Sequence, residues 1–248
     1  MRRLARRWRR LGARGRVLAS LAAAYLVLLH VYVAASLFAP EVIDDQRWRW
    51  SALQSSPLGL SEDLTDYFAA QDTQAGPGRV VFVGDSHCHR FDAASLKMDA
   101  LQFCAGGMTL DYAARELPAL EAVSAAGELV VWAGVNDLLH GRTSQEVTAS
   151  MQALLQKTSG VGRHVIILVP PVGASRGEAL AAAIEQANAG FAELCREDCI
   201  LIDTHAVLAD SEGYLAPAYD AGDGLHLGPR GYKKLGLAIG AALAEGGE

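Results

Sequence analysis

A chain of 248 residues allows one domain of ordinary size plus an appendage, and its 51% hydrophobic content can bury a sizeable core. The formal net charge of −6 is unevenly spread: eight arginines and no acid occupy the first sixteen residues, leaving 14 basic against 28 acidic residues, a net of −14, in the rest. A body so acidic repels nucleic acid and anionic lipid heads, which excludes nucleic-acid binding as its task.

In chain order, the arginine-rich head (1–16) is followed by 23 residues without a formal charge, Val17 to Ala39. At about 1.5 Å per residue these exceed the roughly 30 Å of a bilayer's hydrocarbon. The stretch is also longer than a typical signal-peptide core. The expectation is an uncleaved, single-pass signal anchor in a bacterial inner membrane. The arginines would keep the N-terminus cytoplasmic and send the body to the periplasmic side. A cleaved signal, with Val33-Ala34-Ala35 at its site, is the alternative. His30 reads as filler in the span.

Residues 40–78 read as a linker rich in Ser, Gln and Asp, with one short helix around Leu60 to Ala70. Strand-like apolar runs then fall at 79–83, 100–104, 128–133, 163–169 and 199–203. Helix-period stretches fall at 87–98, 109–126, 143–158, 176–195 and 229–244, with Thr109 and Thr143 placed as N-caps. The strands are continuous Val, Ile and Leu without polar alternation, so both faces are covered. Strand and helix alternating in this way predict a five-stranded parallel sheet in a three-layer α/β/α sandwich over residues 79–248. Ligands gather at the carboxyl ends of such strands.

Those ends carry the polar motifs. Gly84-Asp85-Ser86-His87 follows the first strand, a good place for an exposed nucleophile. Ala105-Gly106-Gly107 follows the second, and Gly134-Val135-Asn136-Asp137 follows the third. Far downstream, Asp223-Gly224-Leu225-His226 pairs a carboxylate with an imidazole, and Gly224 permits the turn that would let them meet. Serine acyl transfer needs a nucleophile, a base with its orienter, and preplaced oxyanion donors.

The four cysteines fit an oxidising compartment. Cys195 and Cys199 could close a small loop, and Cys88 could bridge to Cys104 if their strands are neighbours. Buried thiols are the alternative for all four. No cysteine pair has the two-residue spacing of a zinc site. His87 and His89 flank Cys88, but a metal reading fails if this segment opens a helix, because the two rings then diverge. No metal or organic cofactor is expected.

Taken together, these blocks resemble the SGNH, or GDSL-type, hydrolase family. Val83-Gly84-Asp85-Ser86 is similar to its nucleophile block, and Cys104 to Thr109 to its glycine block. Gly134 to Asp137 matches the asparagine block, and Asp223 to Leu227 with Gly231-Tyr232 the terminal Asp-x-x-His block. The resemblance implies the flavodoxin-like SGNH hydrolase fold. It implies a catalytic triad of Ser86 as nucleophile, His226 as base and Asp223 as orienter. It also implies an oxyanion hole from the amides of Ser86 and Gly107, with Gly106 as the alternate, and the side chain of Asn136. Asp85 and Asp137 read as loop supports. Two departures stand out. His87 replaces the leucine of the family's name. Gln102 and Cys104 lie where many members carry an asparagine, which weakens the expected support of the oxyanion loop.

The function this implies is hydrolysis of small acyl esters through an acyl-enzyme on Ser86. Candidate substrates are O-acetyl groups of cell-envelope glycans or lipid esters. The same machinery would serve an O-acetyltransferase if a sugar hydroxyl captured the acyl group. A non-catalytic carbohydrate-binding module on this scaffold is a third reading, with no use for Asp223 and His226 together.

Overall fold

The computed structural model describes residues 62–73, 76, 78–196 and 199–244, with scattered positions between 12 and 33. Most of the basic head, most of the expected span 17–39 and residues 40–61 therefore lie outside the described residues. The chain divides into two units, Met1–Ser56 and Pro57–Glu248. In the first, residues 24–27 and 29–31 are helical. Among the described residues no helix is long and apolar enough to cross a membrane.

The second unit is an α/β fold around one five-stranded sheet. Its strands are β1 (Val80–Gly84), β2 (Ala100–Cys104), β3 (Glu128–Trp132), β4 (Arg163–Ile167) and β5 (Cys199–Ile202). All neighbours pair in parallel, in the order β2-β1-β3-β4-β5. The chain leaves β1 to one side for β2 and to the other for β3, so the switch point of the topology lies between β1 and β3.

Each strand alternates between two cores. Val81, Val83, Phe103, Leu129, Val131 and Ile166 face one cluster of buried side chains. It is closed by α3 (Leu110–Glu116), α6 (Ser144–Lys157) and α7 (Glu178–Leu194), through Leu110, Met151, Leu154, Ile184 and Phe191. Phe82, Val130, Trp132, Val165 and Ile167 face the other. That side is closed by α2 (Ser86–Arg90), α8 (Thr204–Leu208) and α9 (Pro229–Ala244), through Cys88, Leu208, Leu235 and Ile239. This gives the three layers that the unbroken apolar strands predict.

The helices depart from expectation where a backbone rule intervenes. The stretch 109–126 breaks into α3, a 3-10 turn at Leu117–Ala119 and α4 (Glu121–Ser124). Pro118 lacks the N–H that a continuing helix would use. The stretch 87–98 ends its α-helix at Arg90 and resumes as a 3-10 turn at Ala93–Leu96. A short helix not foreseen, α5 (Val135–Leu139), opens directly on the asparagine motif. Thr109 and Thr143 cap α3 and α6 through side-chain acceptance from Tyr112 N and Glu146 N. The linker helix, α1 (Glu62–Asp72), packs on the body: Phe68 is buried with its ring 5.5 Å from that of Phe103, and Asp72 accepts from the amides of Glu121 and Ala122.

Both cysteine pairs are disulfides. Cys88–Cys104 joins α2 to the end of β2, and Cys195–Cys199 closes the turn between α7 and β5. By loop length, replacing Cys88 and Cys104 with Ala should cost about 3 kcal/mol, and replacing Cys195 and Cys199 about 2 kcal/mol. Urea unfolding without reductant measures both, and a larger loss for the second pair would contradict the loop-length account.

Candidate active site

The sheet register sets three loops side by side. Gly84, the last residue of β1, pairs with Cys104 of β2 on one side and Trp132 of β3 on the other. The strands approach so closely here that a Cβ on Gly84 would lie 2.1 Å from the Trp132 carbonyl oxygen. Only glycine fits, and the chain can then turn at once. Asp85 N donates to Trp132 O at 3.1 Å, and Ala105 N donates to Gly84 O at 3.0 Å. Ser86 thus leaves the sheet edge between the Gly106–Gly107 turn and the Asn136 loop.

Asp85 is the N-cap of α2: its buried carboxylate accepts from His87 N at 2.8 Å. Ser86 is the first helical residue, so its N–H has no helical acceptor. Among the described hydrogen bonds, neither Ser86 N nor Gly107 N donates to a carbonyl. Asn136 is buried on α5 and its Nδ2 donates to Met108 O at 3.0 Å, which leaves its second N–H uncommitted. The neighbouring Asp137, fully buried, accepts from Leu110 N at 2.7 Å and is paired with Arg142. Burial pushes the Asp137 carboxyl up, against the opposing pull of the Leu110 amide and Arg142. Asn136 and Asp137 together fasten the glycine loop to α5.

The remaining partners arrive from the far end of the chain. Ser86 Oγ lies 3.0 Å from His226 Nε2, across a sequence gap of 140 residues. His226 Nδ1 lies 2.6 Å from Asp223 Oδ2. Asp223 Oδ1 also accepts from the amides of Leu225 and His226, at 2.9 and 2.8 Å, so one carboxylate folds its own turn and orients the ring. Gly224 holds φ at 69° within that turn, a conformation costly for any residue with a Cβ. Burial acts to raise Asp223, but the hydrogen bonds from the His226 ring and the two amides outweigh it. They hold the carboxyl well below the usual carboxylate range.

Ser86, Gly107 and Asn136 therefore lie just beyond the ends of β1, β2 and β3, the Asp223–His226 turn comes from beyond α8, and Ser86, His226 and Asp223 form one hydrogen-bonded chain. The sequence did not disclose what holds the turn in place. Four successive carbonyls each accept a hydrogen bond from a different donor. Arg176 Nε takes Asp223 O at 2.9 Å and Gly173 N takes Gly224 O at 2.8 Å. His87 Nε2 takes Leu225 O at 3.0 Å and Ala221 N takes His226 O at 2.9 Å. Asp220 adds an acceptor for Gly222 N and Gly224 N. Only the Asp-Ala-Gly-Asp-Gly run around Asp220 carried a signal, as a turn former. His87 and His89 go to different carbonyls, Leu225 and Cys104. Gln102, in the place of the family's asparagine, donates to the carbonyls of Cys88 and Phe91 and so holds the end of α2.

The sequence pattern of the GDSL-like lipase/acylhydrolase family matches residues 69–234, two thirds of the chain. The chain belongs to this family. No curated protein sequence matches it. Several solved structures share the fold of this acylhydrolase. A protein of Streptococcus pneumonia named for platelet activating factor has 19% identity and a TM-score of 0.67, covering 77% of this chain and 96% of that one. A GDSL-like lipase from Bacteroides thetaiotaomicron has 17% identity and a TM-score of 0.59, over 73% and 95%. A lipolytic protein of the G-D-S-L family from Veillonella parvula has 20% identity and a TM-score of 0.58, over 68% and 99%. At such identities the likeness speaks for the fold, and family membership for an acylhydrolase.

The depressed Asp223 has a consequence for stability. Its folded pKa lies below its unfolded one, so its contacts stabilise the fold above the ordinary carboxylate range and that contribution is lost as pH falls. The stability gap between wild type and Asp223→Asn should be widest above about pH 5, begin to shrink as pH falls through about 4, and close only well below that, as pH falls through the depressed folded pKa. Urea unfolding at stepped pH measures it, and a gap independent of pH would show that the contact carries no ionic contribution.

Proposed function

We propose that this acylhydrolase is a serine esterase that cleaves small acyl esters through an acyl-enzyme on Ser86. The observation that carries the reading is the continuous hydrogen-bond chain from Ser86 Oγ through the His226 ring to Asp223. A hydroxyl is a weak nucleophile unless a base takes its proton as it attacks. In this mechanism Ser86 Oγ bonds to the ester carbonyl carbon while its proton passes to His226 Nε2. Asp223 fixes the ring through Nδ1 and stabilises the imidazolium. The carbonyl oxygen, now negative, meets the amides of Ser86 and Gly107 and the free N–H of Asn136. Collapse breaks the ester C–O bond, and the departing alkoxide takes the proton from His226. Water then gives a proton to His226, attacks the acyl carbon and releases the acid, and the proton returns to Ser86.

The substrate class and location rest on the sequence of the N-terminal segment. An arginine-rich head before 23 uncharged residues supports a single-pass anchor in a bacterial inner membrane, with the body on the periplasmic side. O-acetyl groups of envelope glycans and lipid esters are the esters within reach there. Cell fractionation checks this part: the chain should stay with the inner membrane, with its body open to protease from the periplasm.

The chemistry is checked with the full chain and p-nitrophenyl acetate, butyrate and octanoate. Turnover should be fastest with acetate and fall by more than about 10,000-fold in Ser86→Ala. Asn136→Ala should lower kcat by about 100- to 1,000-fold with KM little changed. Acyl groups appearing on an added xylan or chitin oligomer would make the protein an acyltransferase. Turnover that survives Ser86→Ala would remove the reading altogether.

A further inference from the structure

We infer that His87, the residue next to the nucleophile, positions the base: its ring N–H holds the turn that carries His226. The inference rests on the esterase reading above for calling His226 the base, but its geometry stands independently. His87 is 1% exposed, and a buried histidine beside a reacting serine calls for an explanation. Its Nε2 lies 3.0 Å from Leu225 O. A carbonyl only accepts, so the proton at this contact is on His87 Nε2. Its other nitrogen, Nδ1, is 3.4 Å from Asp85 Oδ1. Burial opposes a charge on His87, while Asp85 and the Leu225 carbonyl favour it strongly enough to raise its pKa. The ring is wedged between Trp132, stacked at 6.0 Å, and the His226 ring at 5.6 Å.

The consequence follows from adjacency. Ser86 and His87 are consecutive residues in the first turn of α2. One meets the His226 ring; the other meets the carbonyl one residue before His226. Two successive side chains of one rigid helix thus gauge the distance from nucleophile to base. Of the four donors that hold the turn's carbonyls, His87 is the buried side chain and the one that belongs to the nucleophile's own helix. The leucine of the family's name could fill the same space but has no proton to give Leu225 O. In this chain a hydrogen bond does what shape alone would otherwise do. Asp85 serves this twice over, capping α2 at His87 N and facing His87 Nδ1.

The test compares His87→Leu, which keeps bulk without a donor, with His87→Gln, which restores an N–H of similar reach. Both are made in the full chain beside wild type and Ser86→Ala. Misplacing a reacting group by about 1 Å costs on the order of 100-fold. We expect His87→Leu to lose about 10- to 100-fold in kcat with KM changed less than about twofold, and His87→Gln to recover most of it. Two readouts need no turnover. In 15N-histidine spectra of the wild type, His87 should be protonated at Nε2. The downfield proton between His226 and Asp223 should weaken in His87→Leu and return in His87→Gln. An unprotonated Nε2 overturns the inference, even if neither variant folds. So does a His87→Leu variant with unchanged kcat, or equal loss in both variants with the downfield proton intact, which would mean core packing alone. If the wild type shows no Ser86-dependent turnover, the esterase reading fails, and the spectra still decide whether His87 holds the turn.

Discussion

The site depends on keeping a short polar turn rigid at the rim of the sheet. Residues 223–226 carry both the orienting carboxylate and the imidazole. A turn at the surface would ordinarily give its carbonyls to water and sample many arrangements. Here each of the four carbonyls is taken by a protein donor. Arg176 and Gly173 come from the segment after β4, His87 from α2, and Ala221 from just before the turn itself. The proposed proton transfer between Ser86 and His226, 3.0 Å apart, tolerates little wandering, and these ties supply the missing rigidity.

Around this turn the protein accepts electrostatic costs. Asp85, His87 and Asp137 are all essentially buried, where a charge is disfavoured unless it is paired and hydrogen-bonded. Asp85 and His87 face one another, and Asp137 is met by two amides and Arg142. Such pairs contribute little net stability compared with well-packed apolar groups. Their placement at the ends of β1 and β3 suits orientation better than stability, because each fixes a segment of the candidate site.

The sheet was legible in the sequence because both of its faces are buried, so each strand is a plain apolar run. The site residues were legible for a related reason: in a parallel sheet the polar groups that do chemistry gather immediately after those runs. Ser86, Gly107 and Asn136 sit two to four residues beyond their strands. Helix breaks were harder to read. Pro118 was visible, but the helical period continuing on both sides of it made 109–126 look continuous. The braces of the turn left no pattern at all. Arg176 and Gly173 reach Asp223 and Gly224 across about fifty residues, and His87 reaches Leu225 across 138, contacts that no local periodicity encodes. His87 was visible as a departure from leucine, yet its role depended on knowing what lay opposite.

The second departure, at the start of the glycine block, finds its counterpart in the covalent structure. Without the family's asparagine, the glycine loop lacks an expected hydrogen-bonded support. Cys104, which ends β2 just before that loop, is instead bonded to Cys88, two residues past Ser86. The other end of the loop is fastened to α5, through Asn136 to Met108 O and Asp137 to Leu110 N. The active edge is therefore a chain of cross-braces. The disulfide joins glycine loop to α2, His87 and Ser86 join α2 to the 223–226 turn, and Arg176 and Gly173 join that turn to the segment after β4. A hole for a developing oxyanion is effective only if its donors need not reorganise when charge appears. Bracing of this kind lets loops, the most mobile parts of a fold, act as fixed dipoles. One of these braces is covalent, a disulfide between two buried cysteines, one of them two residues beyond Ser86.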